Sequence, residues 1–493
     1  MGLVGPRQRR LPARGALRPA RVPAPGLEPV RLATPRYGVA RLTARGPAVF
    51  GAVDADKHWA TREGELRLLI VAENASLKMG GEASKNVKLF RLFQQKGLQV
   101  WLVCHDRCRA ELHRELSSRE FANVRFLEDT WLQIAIWKLG KLLPNRLSDL
   151  VVGQLVTALT QSRARKVVKN MISELELDLV FQPSPLSVTA PCFMYDLGVP
   201  VVLGPLCGGF DLPPAFRDMD SWVTRLVVAA VRRAAMPMHL LVPGKLRADA
   251  LIVADPQTRA SLPRGCKGRI YEMLEPAVDL SAWTRDGSPH SRRGSPVRFA
   301  FVGRLVDWKG VQFLVEAFRE VEQRVPSVLE LIGDGVLRAQ LEARVTALGL
   351  EHCIKFRGWQ EIEECRRLLS DCDVFVMPSL RESGGHAVLE AMAMGLPVIV
   401  ADWGGLRHTV DSSCGIRVDV TTRAGFVQGL AEAMIRMAES PGLRSEMGHA
   451  AGRRVRKDDL DWSSKCDRLI SIFNEVLDGS VPARQLSLSL PGS

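Results

Sequence analysis

The sequence predicts an α/β protein made of two successive Rossmann-like, doubly wound domains that face a cleft. Three observations carry this expectation. From about residue 65 onward, short apolar runs with the length of a buried parallel strand alternate with longer segments of helical periodicity. The alternation restarts after a polar, Gly/Ser/Pro-rich break at 284–296 (TRDGSPHSRRGSP). The 493 residues also leave room for two such lobes of roughly 200 residues each.

Residues 1–50 contain ten Arg, no Lys, eight Pro and one acid, Glu28. This segment therefore holds +9 of the formal charge of +13, leaving 57 basic against 53 acidic side chains in the rest. No run in it has helix or strand periodicity, so 1–60 reads as a disordered basic tail. It lacks the uninterrupted apolar stretch of a secretory signal, and it has no Ser, unlike a transit peptide. It is a dispensable extension, the product of a start site placed too far upstream, or a tether to an anionic surface. Because the charge sits in the tail, it is poor evidence for nucleic acid, and no nucleic-acid partner is expected. The overall composition, 46% hydrophobic and 25% charged, excludes a chain disordered throughout, a collagen-like fibre and a polytopic membrane protein. No 18-residue apolar stretch is free of charge.

The first lobe is expected over 61–283. Residues 66–72 (LRLLIVA) form a strand too short to be a buried helix. A glycine-containing loop, 74–81, leads to helix 82–96, whose apolar side carries Val87, Phe90, Leu92 and Phe93. Strand 98–104 completes a βαβ unit. Further strands are read at 123–127, 177–181, 199–203, 250–253 and 269–273, with helices at 155–175 and 222–241. The second lobe, 297–460, repeats the scheme. Its strands are 297–302, 328–332, 354–356, 374–377 and 397–400, and its helices 308–321, 337–348, 362–369 and 386–394. The C-terminal part reads as helices 424–437, 442–456 and 466–477. Segment 461–478 is expected to pack back toward the first lobe, and 479–493 to be a loose tail. Ten Cys are scattered along the chain, and Cys104 and Cys108 have a C-x3-C spacing that is not a usual zinc spacing. Reduced thiols in a cytoplasmic protein are expected, with no metal site.

Ligands of doubly wound sheets bind beyond the carboxyl ends of strands. The strand-to-helix loops should therefore hold the chemistry. The run 373–400 (DVFVMPSLRESGGHAVLEAMAMGLPVIV) places Glu382 in a loop and Glu390 eight positions on, in a helix. Gly384 and Gly385 leave backbone N–H groups at the helix start open to an anion. A carboxylate beside such a site makes sense if it accepts hydrogen bonds from hydroxyl groups, as on a sugar or ribose. Otherwise both acids are solvated residues favoured by the helix dipole. The run 302–310 (VGRLVDWKG) puts Arg304 and Lys309 at another strand end, two cations that suit a diphosphate. The run 72–85 (AENASLKMGGEASK) brings Gly80 and Gly81 before the first helix, without the G-x-G-x-x-G of a dinucleotide fingerprint.

Taken together, these spacings resemble glycosyltransferase family 4, retaining enzymes of the GT-B fold. The resemblance covers about residues 65–475 and includes LIGDG (331–335), FRGW (356–359), EAMAMGLPVI (390–399), GPLCGG (204–209) and LEPAVDLSAW (274–283). It implies a metal-independent hexosyltransferase that uses a nucleotide-diphosphate sugar as co-substrate, with no further cofactor. It further implies that Arg304 and Lys309 neutralise the donor diphosphate and the charge that grows as the nucleotide leaves. Glu390 would bind the ribose. Glu382, with the backbone of Ser383, Gly384, Gly385, His386 and Ala387, would hold the donor sugar. Gly80 and Gly81 would let the first helix approach the phosphate, and the base would lie near Arg357, Gly358 and Trp359. On this reading Glu382, Arg304 and Lys309 are the catalytic set.

Many relatives have a His near the end of a first-lobe strand, where this chain has Phe181; His105 is a candidate substitute, the alternative being a surface-loop His. Gly404 and Gly405 are followed by LRH where an acid is common. His386 either lines the donor site or packs the helix start. Segments 131–146 (WLQIAIWKLGKLLPNR) and 222–233 mix Trp, aliphatic and basic residues. Each is either a helix packed on its own lobe or a contact with an anionic bilayer. In the second case the protein is peripheral on the inner face of a membrane and its acceptor a lipid-linked sugar rather than a free glycan. The pathway class would be cell-surface polysaccharide or glycolipid synthesis. The competing functions are a nucleotide-sugar epimerase, a phosphorylase and a catalytically silent nucleotide-sugar binding protein.

Overall fold

The structure is a computed structural model that describes residues 66–140, 154–209, 211–285, 295–457 and 460–479, all within one compact unit, His58–Ser493. The expected tail 1–60, most of the break 284–296, nearly all of 479–493 and residues 141–146 of the first apolar-basic segment lie outside the described residues.

The first lobe is a seven-stranded sheet of order β3-β2-β1-β4-β5-β6-β7, with every pairing parallel. Its strands are β1 (Arg67–Val71), β2 (Gln99–His105), β3 (Val124–Leu127), β4 (Leu179–Gln182), β5 (Val201–Leu206), β6 (Ala250–Val253) and β7 (Arg269–Glu272). β1, β4, β5 and β6 are buried almost throughout, as strands covered on both faces must be. The helices are α1 (Gly81–Gln95), α2 (Arg109–Glu115), α3 (Ser118–Ala122), α4 (Trp131–Gly140), α5 (Gln154–Leu175), α6 (Trp222–Leu241), α7 (Gly244–Arg247) and α8 (Pro256–Ala260). Sequence periodicity had no hold on α2, α3, α7 and α8, which span two turns or fewer.

The second lobe is a six-stranded parallel sheet of order β10-β9-β8-β11-β12-β13. It comprises β8 (Val297–Val302), β9 (Ser327–Ile332), β10 (Ile354–Gly358), β11 (Val374–Met377), β12 (Val398–Ala401) and β13 (Gly415–Val418). The helices are α9 (Val311–Arg324), α10 (Arg338–Leu348), α11 (Ile362–Ser370), α12 (His386–Ala393), α13 (Leu406–Thr409), α14 (Arg423–Glu439), α15 (Pro441–Lys457) and α16 (Trp462–Leu477). β13 was not expected: its sequence GIRV is short and half polar, and pairing with β12 decides it. The stretch read as one helix from 308 begins as a 3-10 turn, Asp307–Lys309, and turns α-helical only after Gly310.

Each lobe has its own core, and the chain crosses between lobes more than once. Trp462, Cys466, Leu469, Ile472 and Phe473 of α16 join the first-lobe core on the α1 side of its sheet. Phe216, from the first-lobe chain, sits in the second-lobe core with ring centroids 5.3 Å from Phe313 and 5.8 Å from Phe426. Residues 278 and 460–462 run side by side, Val278 N–H donating to the Leu460 carbonyl and Trp462 N–H to that of Val278. Among the described residues no helix is long and apolar enough to cross a membrane. No group of three or more His, Cys, Asp or Glu among them is placed to hold a metal ion, and the ten Cys are unpaired.

Candidate functional site

Strand order explains why two motifs some seventy residues apart meet. β8 and β11 are neighbours at the point where connections switch direction, so the loops beyond their carboxyl ends, 303–310 and 378–385, lie together. Gly310 makes the contact close. It has φ of 72°, and a Cβ there would stand 2.2 Å from the Pro378 carbonyl oxygen. Leu380 N–H donates to the Trp308 carbonyl across the same seam.

At this junction Lys309 Nζ donates to Glu382 Oε2, and Ser379 Oγ donates to the same oxygen at 3.2 Å. The two charged side chains are 15% and 17% exposed. Arg304 is exposed and makes no ion pair among the described residues; its guanidinium lies 5.9 Å from the Trp308 ring centroid. One cation is thus held by the acid and one is left open toward a ligand.

α12 starts at Gly385 (φ 76°) with no side-chain cap, and α1 starts at Gly80 (φ 96°) likewise. These two helix starts touch: a Cβ on Gly81 would lie 3.2 Å from His386 Nε2. Uncapped N–H groups of two neighbouring helix starts therefore lie close together, which favours an anion. Glu390, half-buried on α12, makes no side-chain hydrogen bond among the described residues, and burial pushes its carboxyl up to about 7. A carboxylate without internal partners fits hydroxyl donors. Burial lowers the His386 pKa, with the Glu275 carboxylate opposing it from 3.8 Å.

Arg357 is differently placed from a free base contact. Its guanidinium donates twice to Glu330, at 2.7 and 3.1 Å, and Arg298 donates to the same acid at 2.8 Å. The exposed Trp359 ring and the backbone around Gly358 are what this corner offers a ligand.

Phe181 is a core residue, fully buried, with centroids 6.2 Å from Phe93 and 5.1 Å from Phe473, so that position does not face the cleft. His105 is also buried. Its Nε2 lies 3.0 Å from Asp129 Oδ1 in the loop after β3 and its Nδ1 accepts from Arg107 N–H in the turn after β2, so both nitrogens have partners within the first lobe. It is no replacement for a cleft histidine.

Several residues that hold the site together escaped the sequence reading. Glu275 and Lys85 form an ion pair of 3.1 Å, 3% and 1% exposed, directly behind Gly81 and His386. Lys465 of α16 donates to the carbonyls of Leu274, Glu275 and Pro276. Arg381 pairs with Asp220 at 2.7 Å, and Trp403 Nε1 donates to the Asp211 carbonyl at 2.8 Å. Gly405 also has a job: a Cβ there would stand 2.1 Å from the Ser383 carbonyl oxygen. Thr409 Oγ1 donates to the Gly384 carbonyl at 2.9 Å. These partners are far apart in sequence, and no local spacing announces them.

In the first lobe, a cavity of about 290 Å³ is lined by Glu73, Asn74, Glu82 and Ser184, and one of about 490 Å³ by Met236, His239, Leu262 and Pro263. Segment 187–190 lines both. α6 beside the larger cavity buries only His239 fully. Trp222, Leu226, Leu240 and Leu241 are exposed, as are Trp131, Ile134 and Leu139 on α4.

The family model described as Glycosyl transferases group 1 matches residues 287–454. A D-inositol 3-phosphate glycosyltransferase of Corynebacterium jeikeium is 30% identical over 293 residues, 52% of this chain and 68% of that protein. The amylovoran biosynthesis glycosyltransferase AmsK of Erwinia amylovora is 32% identical over 151 residues, 29% of this chain and 36% of that one. The chain spans between 28% and 56% of the length of the first curated relatives it matches. In fold, a sucrose-phosphate synthase of Thermosynechococcus elongatus superposes with a TM-score of 0.58 at 18% identity, over 84% of this chain and all of that one.

Proposed function

The chain belongs to the group 1 glycosyl transferases, and from that premise we propose that it is a retaining, metal-independent member of family 4. It moves a sugar from a nucleotide-diphosphate sugar to a lipid-linked or glycan acceptor. The observation that carries this reading is the junction of loops 303–310 and 378–385, where Lys309 meets Glu382 beside two uncapped helix starts.

In this reading the donor diphosphate lies against the starts of α1 and α12 and draws Lys309 and Arg304 onto its oxygens. As the bond from sugar to phosphate breaks, negative charge grows on the leaving nucleotide. Fixed cations and helix N–H groups stabilise it without reorganising. Released from Lys309, Glu382 accepts from donor sugar hydroxyls, and the backbone N–H groups of 383–387 donate to the sugar's oxygens. Glu390 accepts from the ribose, and Trp359 and the backbone near Gly358 meet the base. The leaving phosphate takes the acceptor's proton on the face where the new bond forms, which retains configuration.

The two cavities flanking 187–190 support an acceptor with a polar end near Gly80 and an apolar portion under α6. The exposed apolar faces of α4 and α6, with Arg225 and Arg233 nearby, support delivery from an anionic bilayer. Names among the relatives, which include amylovoran biosynthesis and lipopolysaccharide core biosynthesis, support polysaccharide or glycolipid synthesis as the setting.

The test is nucleotide release from a panel of nucleoside-diphosphate sugars, with and without acceptor. Release from one donor is expected, abolished by Lys309→Ala or Glu382→Ala; undiminished turnover in both variants overturns the site. Co-sedimentation with anionic liposomes tests the membrane contact, and its absence in the full-length protein removes that part.

A further inference from the structure

The second lobe has a cavity of about 750 Å³ at the end opposite to the donor loops, beside Asp373 and Pro397, which precede β11 and β12. Its wall holds Arg285, Arg444, Arg453, Arg456 and His449, against a single carboxylate, Asp373. Elsewhere on this lobe Arg338, Arg357, Arg366 and Arg367 pair with acids. The four arginines of the cavity make no ion pair among the described residues. Arg285 donates to the carbonyls of Ser370 and Cys372 at 2.8 and 2.9 Å, and Arg444 to those of Met437 and Ala438 at 2.6 and 2.8 Å. Arg456 donates to the Gly452 carbonyl at 2.8 Å, and Arg453 has no hydrogen bond among the described residues.

Capping of helix ends accounts for Arg285 and Arg444, whose burial lowers their pKa values. It does not account for the exposed Arg453, and Arg456 commits only one N–H, to the Gly452 carbonyl. Each guanidinium has five N–H donors, so most of them remain for a ligand. Small residues keep the floor open: Gly395, Gly448 and Gly452 add no side chain, and Gly448 packs so closely that a Cβ would stand 2.3 Å from the Gly395 carbonyl oxygen. A volume of this size suits a small ligand. Several guanidiniums with planar, bidentate donors suit phosphate oxygens.

We propose that this cavity binds a free, multiply phosphorylated small molecule, separately from the donor site. The sheet stands between the two, so the ligand of one does not reach the other. Arg285 ends the described part of the first interlobe crossover, and α15 leads into the second at 460–462, so a ligand on both ties the crossovers together.

The test is calorimetric titration with inorganic pyrophosphate. The full-length protein carrying Arg304→Ala and Lys309→Ala, which disables the cleft, should still bind it. Adding Arg453→Ser and Arg456→Ser should weaken that binding at least ten-fold, while Arg453→Lys with Arg456→Lys retains it. The ligand-free melting temperature of the Ser variant should match its parent, because both side chains are exposed. Loss of all pyrophosphate binding in the cleft variant, or unchanged affinity after the Ser substitutions, overturns the proposal. Neither result depends on whether the cleft transfers a sugar.

Discussion

Replacing Lys309 by Ala leaves Glu382 in a nearly closed junction with only Ser379 Oγ, at 3.2 Å, to satisfy it. Removing one partner of a fully buried pair costs about 3–5 kcal/mol. Here both side chains keep some water contact, 15% and 17%, so the loss should be about 2 kcal/mol. For a lobe of about 200 residues that is a fall in melting temperature of roughly 4–8 °C. Glu382→Ala should cost a similar amount by stranding the ammonium. The double variant removes both charges, so its stability should return to within about 1 kcal/mol of the parent. Activity should behave differently, with nucleotide release lost in all three variants because each lacks a group the donor needs. Thermal melting beside a release assay separates these effects. A double variant as unstable as the two singles combined would show that the two side chains are not coupled. Release at the parent rate in Lys309→Ala would remove its role at the phosphate.

Three further outcomes follow from the same geometry. Glu390 has its folded pKa raised to about 7, above the ordinary carboxylate range, so its contribution favours the fold at low pH and is lost as pH rises from about 4.5 through 7. Melting curves of Glu390→Gln should lack that decline, and the affinity for a nucleoside diphosphate should rise more steeply between pH 6 and 8 in the parent than in the variant, where only the ligand's own phosphate titrates. Gly405→Ala must displace the Ser383 carbonyl, now 2.1 Å from the new methyl position; donor affinity should fall more than ten-fold, which equilibrium binding would read. Glu275→Ala leaves Lys85 buried without its acid and should destabilise the protein by about 3–5 kcal/mol in chemical denaturation; a loss under 1 kcal/mol would mean the pair is solvated.

The two sheets were legible because their strands are buried on both faces. Runs such as LRLLIVA and VRFAFV must then be apolar almost throughout, and the intervening helices must carry an apolar stripe. Strand-to-helix loops with Gly and charge were legible for a similar reason: Gly310 and Gly385 need a left-handed backbone, and Arg304, Lys309, Glu382 and Glu390 stand out against apolar neighbours. Pairing is not written in that local pattern. β8 and β11 lie side by side, and this brings Lys309 onto Glu382, although both loops could be read singly. The contact of Gly81 with His386 depends on how one lobe meets the other, and the Lys85–Glu275 pair and the burial of Phe181 depend on how distant segments of the first lobe and α16 pack together. Local sequence determines which segments become strands, helices and glycine turns, through sterics and burial within a few residues. Only the tertiary structure decides which of their ends face one another, because that is set by packing between segments that share no local signal.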